Sequence, residues 1–374
     1  MSEARTSLPR ATPLRLPGGA TILRALALLG LLYLFILSIT LLGASFKLFG
    51  SEFTESIFRA TSNPLIALMI GMLGTSIVQS SSTTTSLVVG LVATGVIGYR
   101  SAVPMIMGAN IGTSITNTIV SLAHISRPDE FRRAFASSVL HDFFNICSVL
   151  ILWPLQVRFN LIGASARALE GFFLGFRGIQ FTSPLAAIAK PVARQIILLT
   201  GDSASLSTLL ACLMLFIALR YIVKVLKSMV LTKVEKAFQY YIFRTPILSL
   251  LVGMMLTILV QSSSITTSIV VPLIGAGVVT LAQIYPYLLG ANLGTTVTAF
   301  LASFVTGSHE AVSVAFAHFL FNAYGMAIFW PLKRIPIFLA EMMARWTMKS
   351  RVVPILYILI VFFTIPACII FLMR

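Results

Sequence analysis

Residues 77–86 read I-V-Q-S-S-S-T-T-T-S, and the eight side chains from Gln79 to Ser86 all carry a hydroxyl or an amide inside an otherwise apolar stretch. Each such group costs free energy in hydrocarbon unless protein or a bound polar ligand satisfies it. The chemistry on offer is ligation. The first apolar leg ends at Gln79, and Ser82 and Thr83 are residue types that start helices. A helix start there presents unpaired N–H groups and partial positive charge to an anion. The adjoining carbonyls, with the oxygens of Gln79, Ser80 and Ser81, suit a hard cation such as Na⁺. The run returns as L-V-Q-S-S-S-I-T-T-S at 259–268, supplying Gln261, Ser262, Ser263 and Ser264, the last again a helix-start type.

Two more features carry chemistry. G-A-N-I-G-T at 108–113 and G-A-N-L-G-T at 290–295 pair glycines, which permit local unwinding and close backbone approach, with the neutral oxygens of Asn110, Thr113, Asn292 and Thr295; Thr298 follows. These read as ligands; the alternative is that small residues simply let helices pack. Asp142 is the one acidic residue of eleven set deep in an apolar span, S-S-V-L-H-D-F-F-N-I-C-S. A carboxylate there needs a partner or a water-filled cavity, and the expected partner is a coupling cation. A structural pair with His141 is the competing reading.

These groups have to be positioned by membrane helices. The 374 residues are 57% hydrophobic and 10% charged, with mean hydropathy +0.97, which excludes an ordinary soluble domain. Apolar runs at 22–46, 206–231 and 352–373 approach the ~20 residues a membrane helix needs, and their helical patterning favours a bundle over a barrel. The net charge of +16 comes from clusters beside apolar spans, at Arg5 to Arg24, Arg127 to Arg133, Arg220 to Lys236 and Lys333 to Arg351. They read as cytoplasmic flanks and as anionic-lipid contacts, with no nucleic acid implied. Cys147, Cys212 and Cys368 form no disulfide framework or zinc motif. The basic N-terminus leads into a run too long for a signal peptide.

Repetition organises the chain. An offset of 182 maps Gly71 onto Gly253, Gln79 onto Gln261, Pro104 onto Pro286, Asn110 onto Asn292 and Thr116 onto Thr298; after a five-residue deletion His141 maps onto His318 and Asn145 onto Asn322. Asp142 maps onto Phe319, so the charge breaks the symmetry. The expected organisation is a cytoplasmic segment 1–21 and a first membrane repeat 22–156 with a re-entrant hairpin at 64–98, a returning helix 101–121, a basic inner loop 122–133 and an exiting helix 134–156. An external linker 157–205 leads to a second repeat 206–332 with a hairpin at 245–280, then a basic cytoplasmic amphipathic segment 333–351 and a terminal membrane helix 352–374. Counted from an inner N-terminus, the repeats enter from opposite sides. The fold class is therefore an all-α polytopic membrane protein of two inverted repeats, each with a re-entrant hairpin and a discontinuous helix, an architecture recurrent in secondary transporters.

Q-S-S-S-T-T-T-S, the paired G-A-N-x-G-T tracts, F-R-R-A-F-A at 131–136 and H-D-F-F-N at 141–145 resemble the type II sodium/phosphate cotransporter family over about 65–156 and 247–332. The resemblance implies a non-enzymatic symporter carrying inorganic phosphate with Na⁺ as coupling ion and no organic cofactor. It implies phosphate ligands at Gln79, Ser80, Ser81, Ser82, Thr83, Ser262, Ser263 and Ser264. It implies sodium ligands among Gln261, Ser262, Asn292, Thr295, Thr298, Asp142, Asn145, Asn110 and Thr113. An Asp at position 142 implies electrogenic transport. The linker lacks the cysteines and glycosylation sequons of animal members, which suggests a bacterial protein in the inner membrane; His124, Arg127 and Ala291 also depart from the animal pattern.

The residues by themselves leave the substrate open, since helix ends and hydroxyls fit other oxyanions and small carboxylates. No Lys or Arg lies in either Q-S-S-S tract, so the anion is expected to lean on dipoles, hydroxyls and sodium. A passive channel also fits. A serine hydrolase using His141 or His318 is disfavoured by the lack of a G-x-S-x-G elbow. Oligomeric state is not legible.

Overall fold

A computed structural model describes residues 19–175, 184–238, 243, 245–350 and 352–373. Arg5, Arg10 and Arg15 of the expected cytoplasmic segment, residues 176–183 of the expected linker, Arg351, and the side chains of Lys227, Lys233 and Lys236 fall outside the described residues. The described residues are all helical in architecture, and six helices are long and apolar enough to cross a bilayer: Ile22–Phe49, Pro128–Phe159, Ala204–Leu226, Leu281–Thr306, His309–Phe329 and Val353–Leu372. The protein is a multi-pass membrane protein.

The first half runs α1 (Gly19–Phe46), α2 (Gly50–Thr61), α3 (Pro64–Val78), α4 (Ser81–Ala93), α5 (Tyr99–Gly112), α6 (Ile115–Ser121) and α7 (Pro128–Phe159). Helices α8 (Leu161–Gly175) and α9 (Pro184–Leu199) follow. The second half runs α10 (Ala204–Phe238), α11 (Pro246–Val260), α12 (Ser263–Ser268), α13 (Val270–Gly275), α14 (Leu281–Thr306) and α15 (His309–Phe329). Helix α16 (Arg334–Lys349) and a terminal helix close the chain; the latter is α17 (Val353–Tyr357), a π-helical segment (Ile358–Thr364) and α18 (Ile365–Leu372).

Each Q-S-S-S tract is the turn of a helix–turn–helix. α3 starts at Pro64 behind Asn63, whose side chain accepts from Leu65 N; α11 starts at Pro246 behind Thr245, which accepts from Leu248 N. Proline suits the first helical turn, where its missing N–H costs nothing. Both helices have 15 residues, about 22 Å at 1.5 Å per residue, short of the ~30 Å hydrocarbon core. They end at Gln79 and Gln261, both left-handed with φ of 54° and 56°. Helix starts differ from expectation: the caps are Ser80 and Ser262, accepting from Thr83 N and Ile265 N, so Ser82, Thr83 and Ser264 already lie inside the helices. A left-handed residue turns the chain within one position, and the next serine is then extended and able to cap.

The glycines act through close approach. α3 packs on α5 and α11 on α14. A Cβ on Gly71, Gly108 or Gly112 would strike the carbonyl oxygens of Met105, Leu68 and Met72; at Gly253, Gly290 and Gly294 it would strike those of Tyr287, Leu250 and Met254. Every contact in the first set maps onto the second by the same offset.

The expected mid-helix unwinding occurs in the first copy alone. The chain turns at Thr113–Ser114 between α5 and α6, whereas Gly290 to Thr295 lie in the unbroken helix α14. The two copies also differ in side-chain bonding there: Ser114 Oγ lies 2.7 Å from His141 Nδ1, and its counterpart Thr296 instead donates back to Leu293 O. Helix α7 also begins earlier than expected, so Arg132 and Arg133 are helical and the loop is shorter than 122–133. Within the expected linker, α8 packs against α15 and α9 against α1.

Candidate functional site

The two turns converge. Gln79, Ser80, Ser81, Ser82 and Thr83 from one repeat line a single cavity of about 450 Å³ with Gln261, Ser262, Ser263, Ser264 and Ile265 from the other. The left-handed conformation of each glutamine costs ~1–2 kcal/mol relative to the right-handed one, and glycine would avoid it. Glutamine at both tips supplies an amide that glycine would lack. Gln261 Oε1 accepts from Thr298 Oγ1 at 2.8 Å, and Thr298 Oγ1 lies 3.5 Å from Ser82 Oγ of the other repeat. The counterpart of Thr298, Thr116, also lines the cavity, and its buried hydroxyl has no partner among the described residues.

The remaining wall comes from α10, through Phe216, Leu219, Arg220 and Val223. Among the described residues Arg220 is the one charged residue lining the cavity, and its guanidinium carbon lies 5.9 Å from the centre of the Phe216 ring. Arg220, grouped by sequence with a basic flank, thus lines the cavity, although no Lys or Arg lies in either Q-S-S-S tract. Position 220 sits on the same face as Phe216 and Val223, so the helical repeat carries it to the cavity. The signal was available: Arg220 interrupts the apolar run L-L-A-C-L-M-L-F-I-A-L-R-Y-I-V at 209–223, where a lone charge marks a pathway or site.

A second polar cluster is buried between the repeats. His141 Nε2 bonds Asn292 Oδ1, and reciprocally His318 Nε2 lies 3.4 Å from Asn110 Oδ1. Since the amide oxygens accept, both histidines carry the proton on Nε2, leaving His141 Nδ1 to accept from Ser114. Asn145 donates to Asn110 O at 3.0 Å and accepts from Asn292 Nδ2 at 3.1 Å; Asn322 Nδ2 donates to Asn110 Oδ1 at 3.3 Å. Thr113 and Thr295 donate back to Ala109 O and Ala291 O, and neither lines the cavity. Of the sequence-predicted residues, Gln79 to Thr83 and Gln261 to Ser264 line the cavity, Asn110, Asn145 and Asn292 form this cluster, Thr298 meets the cavity through Gln261, and Thr113 and Thr295 turn back on their own helices. Another cross-repeat link went unanticipated: Asn117 Nδ2 donates to Thr267 Oγ1 at 2.7 Å, and Asn117 Oδ1 accepts from Ser268.

Asp142 stands apart and fully buried. Its Oδ2 accepts from the Tyr357 hydroxyl of the terminal helix at 2.9 Å, and its Oδ1 has no hydrogen-bond partner among the described residues. The alternative of a structural pair with His141 is not formed, because both ring nitrogens of that histidine are engaged elsewhere. Tyr357, from outside the repeats, gave no sequence signal of its own: it is one aromatic in an apolar run. Neither histidine lines the cavity, and Ser114, the serine that His141 meets, is fully buried, an arrangement unsuited to attack on a substrate.

The arrangement suits ligation of a small anion at two helix starts and an arginine, with the neutral oxygens of the turns beside it and the Asp142 carboxylate elsewhere in the bundle for a hard cation. The chain is 32% identical to sodium-dependent phosphate transport protein 2B of Pongo abelii and of Homo sapiens over 92% of its own length, and 33% identical to protein 2A of Ovis aries over 93%. It spans 64% of the length of the first two relatives and 67% of the third. No solved structure matches. The sequence model of the Na⁺/Pi-cotransporter family covers residues 34–183 and 214–345, both Q-S-S-S turns, Asp142 and Arg220 included, and the chain belongs to that family.

Proposed function

We propose that the protein is a sodium-coupled symporter that imports inorganic phosphate across the inner membrane of a bacterial cell, with its N-terminus cytoplasmic. The observation that carries this reading is the shared cavity, where both Q-S-S-S turns meet around Arg220. The relatives are named for sodium-dependent phosphate transport, which supports the same cargo here.

Phosphate binds between the starts of α4 and of the helical run Ser263–Gly275, with Arg220 as its cationic partner. Each capping serine satisfies one first-turn N–H, and the anion takes others. Sodium is held by Gln261, Ser262 and Thr298 at one tip and by Asp142 with Asn145 deeper in the bundle; Asn110, Thr113, Asn292 and Thr295 stand within the same oxygen-rich core. Arg220 supplies a single positive charge against a divalent anion, so sodium provides the remaining neutralisation, and this links the two cargoes. Two sodium ions balance the divalent anion, and a further sodium held at Asp142, which has no counterpart in the second repeat, carries the net charge of each cycle, hence electrogenic transport.

The two repeats have inverted topology, with 64–98 and 245–280 as re-entrant hairpins. Short hairpin legs support this reading. So does the reciprocity of His141–Asn292 with His318–Asn110, which a two-fold relation between the halves would produce. Exposure alternates as one bundle rocks against the other.

Uptake of labelled phosphate into proteoliposomes tests the proposal. An inward sodium gradient should drive accumulation and a potassium gradient should not; accumulation undiminished without sodium refutes coupling. Stronger competition by sulfate or a dicarboxylate than by unlabelled phosphate would reassign the substrate on the same scaffold.

A further inference from the structure

We propose that a second cavity, remote from the Q-S-S-S turns, binds the headgroup of an anionic phospholipid. Its volume is about 400 Å³, and Arg132, Arg133, Thr280, Glu341 and Arg345 are among its lining residues. Three guanidiniums face one carboxylate. Arg132 and Arg133 belong to the F-R-R-A-F-A tract at 131–136, for which the transport site has no use. Arg133 is anchored, its Nε donating to Gly275 O at 2.9 Å, and its guanidinium sits against Gly277, whose φ is +76°. The guanidinium's other N–H groups are the ones a phosphoryl oxygen would take. Arg345 meets Glu341 only loosely, at 3.8 Å, with both side chains largely solvent-accessible.

The phosphoryl group could belong to a lipid or to free phosphate, and helix α16 points to the lipid. It carries three faces. Pro336, Ala340, Met343, Ala344 and Thr347 form the buried face that packs on the protein. Glu341 and Arg345 form a charged stripe along the cavity, with Arg334 in the same row. On the far flank of that stripe lie Ile335, Phe338 and Trp346, which are 45%, 59% and 49% exposed. A helix with basic residues beside an exposed apolar and aromatic stripe is built to lie at a lipid–water interface. A phospholipid can place its phosphate among the arginines and its acyl chains along the apolar stripe; free phosphate makes no use of the latter. Basic pockets between membrane helices take acidic headgroups by this same chemistry.

Native mass spectrometry of the full chain in detergent, titrated with phosphatidylglycerol or phosphatidylcholine of matched acyl chains, tests the inference. Phosphatidylglycerol should bind more tightly, with each guanidinium contributing about fivefold. Arg345→Gln, a change at an exposed side chain, should cut that preference about fivefold, and Arg132→Gln/Arg345→Gln should cut it about 25-fold. Arg133 is left intact because it holds the Gly275 carbonyl. Equal binding of the two lipids by the wild type, or an unchanged preference in either variant, overturns the proposal. Displacement of phosphatidylglycerol by millimolar inorganic phosphate would reassign the site to the free anion and equally overturn it.

Discussion

Replacing Arg220 by glutamine separates a phosphate site built on helix ends alone from one completed by α10. A hydrogen bond to a charged group is worth ~1.5–3 kcal/mol, but Arg220 is exposed to the cavity's solvent, so its share should fall to about 1–1.5 kcal/mol. At about 1.4 kcal/mol per factor of ten, phosphate half-saturation at saturating sodium should rise roughly five- to twelvefold. Lys224 is the internal control. It lies one helical turn further along α10, exposed, with its ammonium 5.6 Å from the centre of the Tyr221 ring, and it does not line the cavity. Initial rates of sodium-driven phosphate uptake in proteoliposomes, measured across phosphate concentrations for Arg220→Gln, Arg220→Lys and Lys224→Gln, provide the assay. Lysine should restore part of the affinity, as a point charge without the planar fork. If Arg220→Gln stays within about twofold of wild type, or if Lys224→Gln weakens binding equally, contact between Arg220 and the anion is refuted in favour of no role or of a general surface field.

Other expectations follow from the same geometry. Asp142→Asn removes the one buried carboxylate oxygen without a partner among the described residues; net current per phosphate should vanish, and an unchanged ratio in paired current and uptake recordings refutes the charge assignment. Tyr357→Phe deletes the hydroxyl donor to Asp142 while keeping the ring against Phe143 and Phe362, so thermal stability in detergent should fall by about 1.5–3 kcal/mol; an unshifted melting curve refutes that hydrogen bond. Gly108→Ala would drive a methyl into the Leu68 carbonyl and cost about 1–3 kcal/mol, whereas Gly74→Ala has open space in the same helix pair and should be neutral or stabilising. Equal melting temperatures for the two variants would refute the close approach of α3 and α5.

Much of the architecture was legible because it was written twice. The offset of 182 residues identified Gln79 with Gln261 and Asn110 with Asn292 without reference to any contact, and the glycine contacts between α3 and α5 recur between α11 and α14 at that offset. The starts of α3 and α11 carry local capping signals, Asn63-Pro64 and Thr245-Pro246. Where reading failed, no local pattern distinguished the outcomes. Matching G-A-N-x-G-T tracts gave a broken helix in one copy, where Ser114 meets His141 of another helix, and a continuous one in the other. The cap position slipped by two residues because a left-handed glutamine is not what propensity predicts.

The sequence by itself therefore determined the family, the membrane class, the two polar turns and the carboxylate of Asp142 deep in an apolar span, since composition, repetition and the cost of polar groups in hydrocarbon are properties of the chain. Tertiary structure alone decided which groups meet. It brought the two turns, 182 residues apart, to one cavity, and it turned Arg220 from a presumed flanking charge into the cavity's cation. It also gave Asp142 a tyrosine from the terminal helix and sent the neighbouring histidine to an asparagine of the other repeat. Proximity between distant segments depends on how whole helices pack against one another, and no local pattern of side chains encodes that.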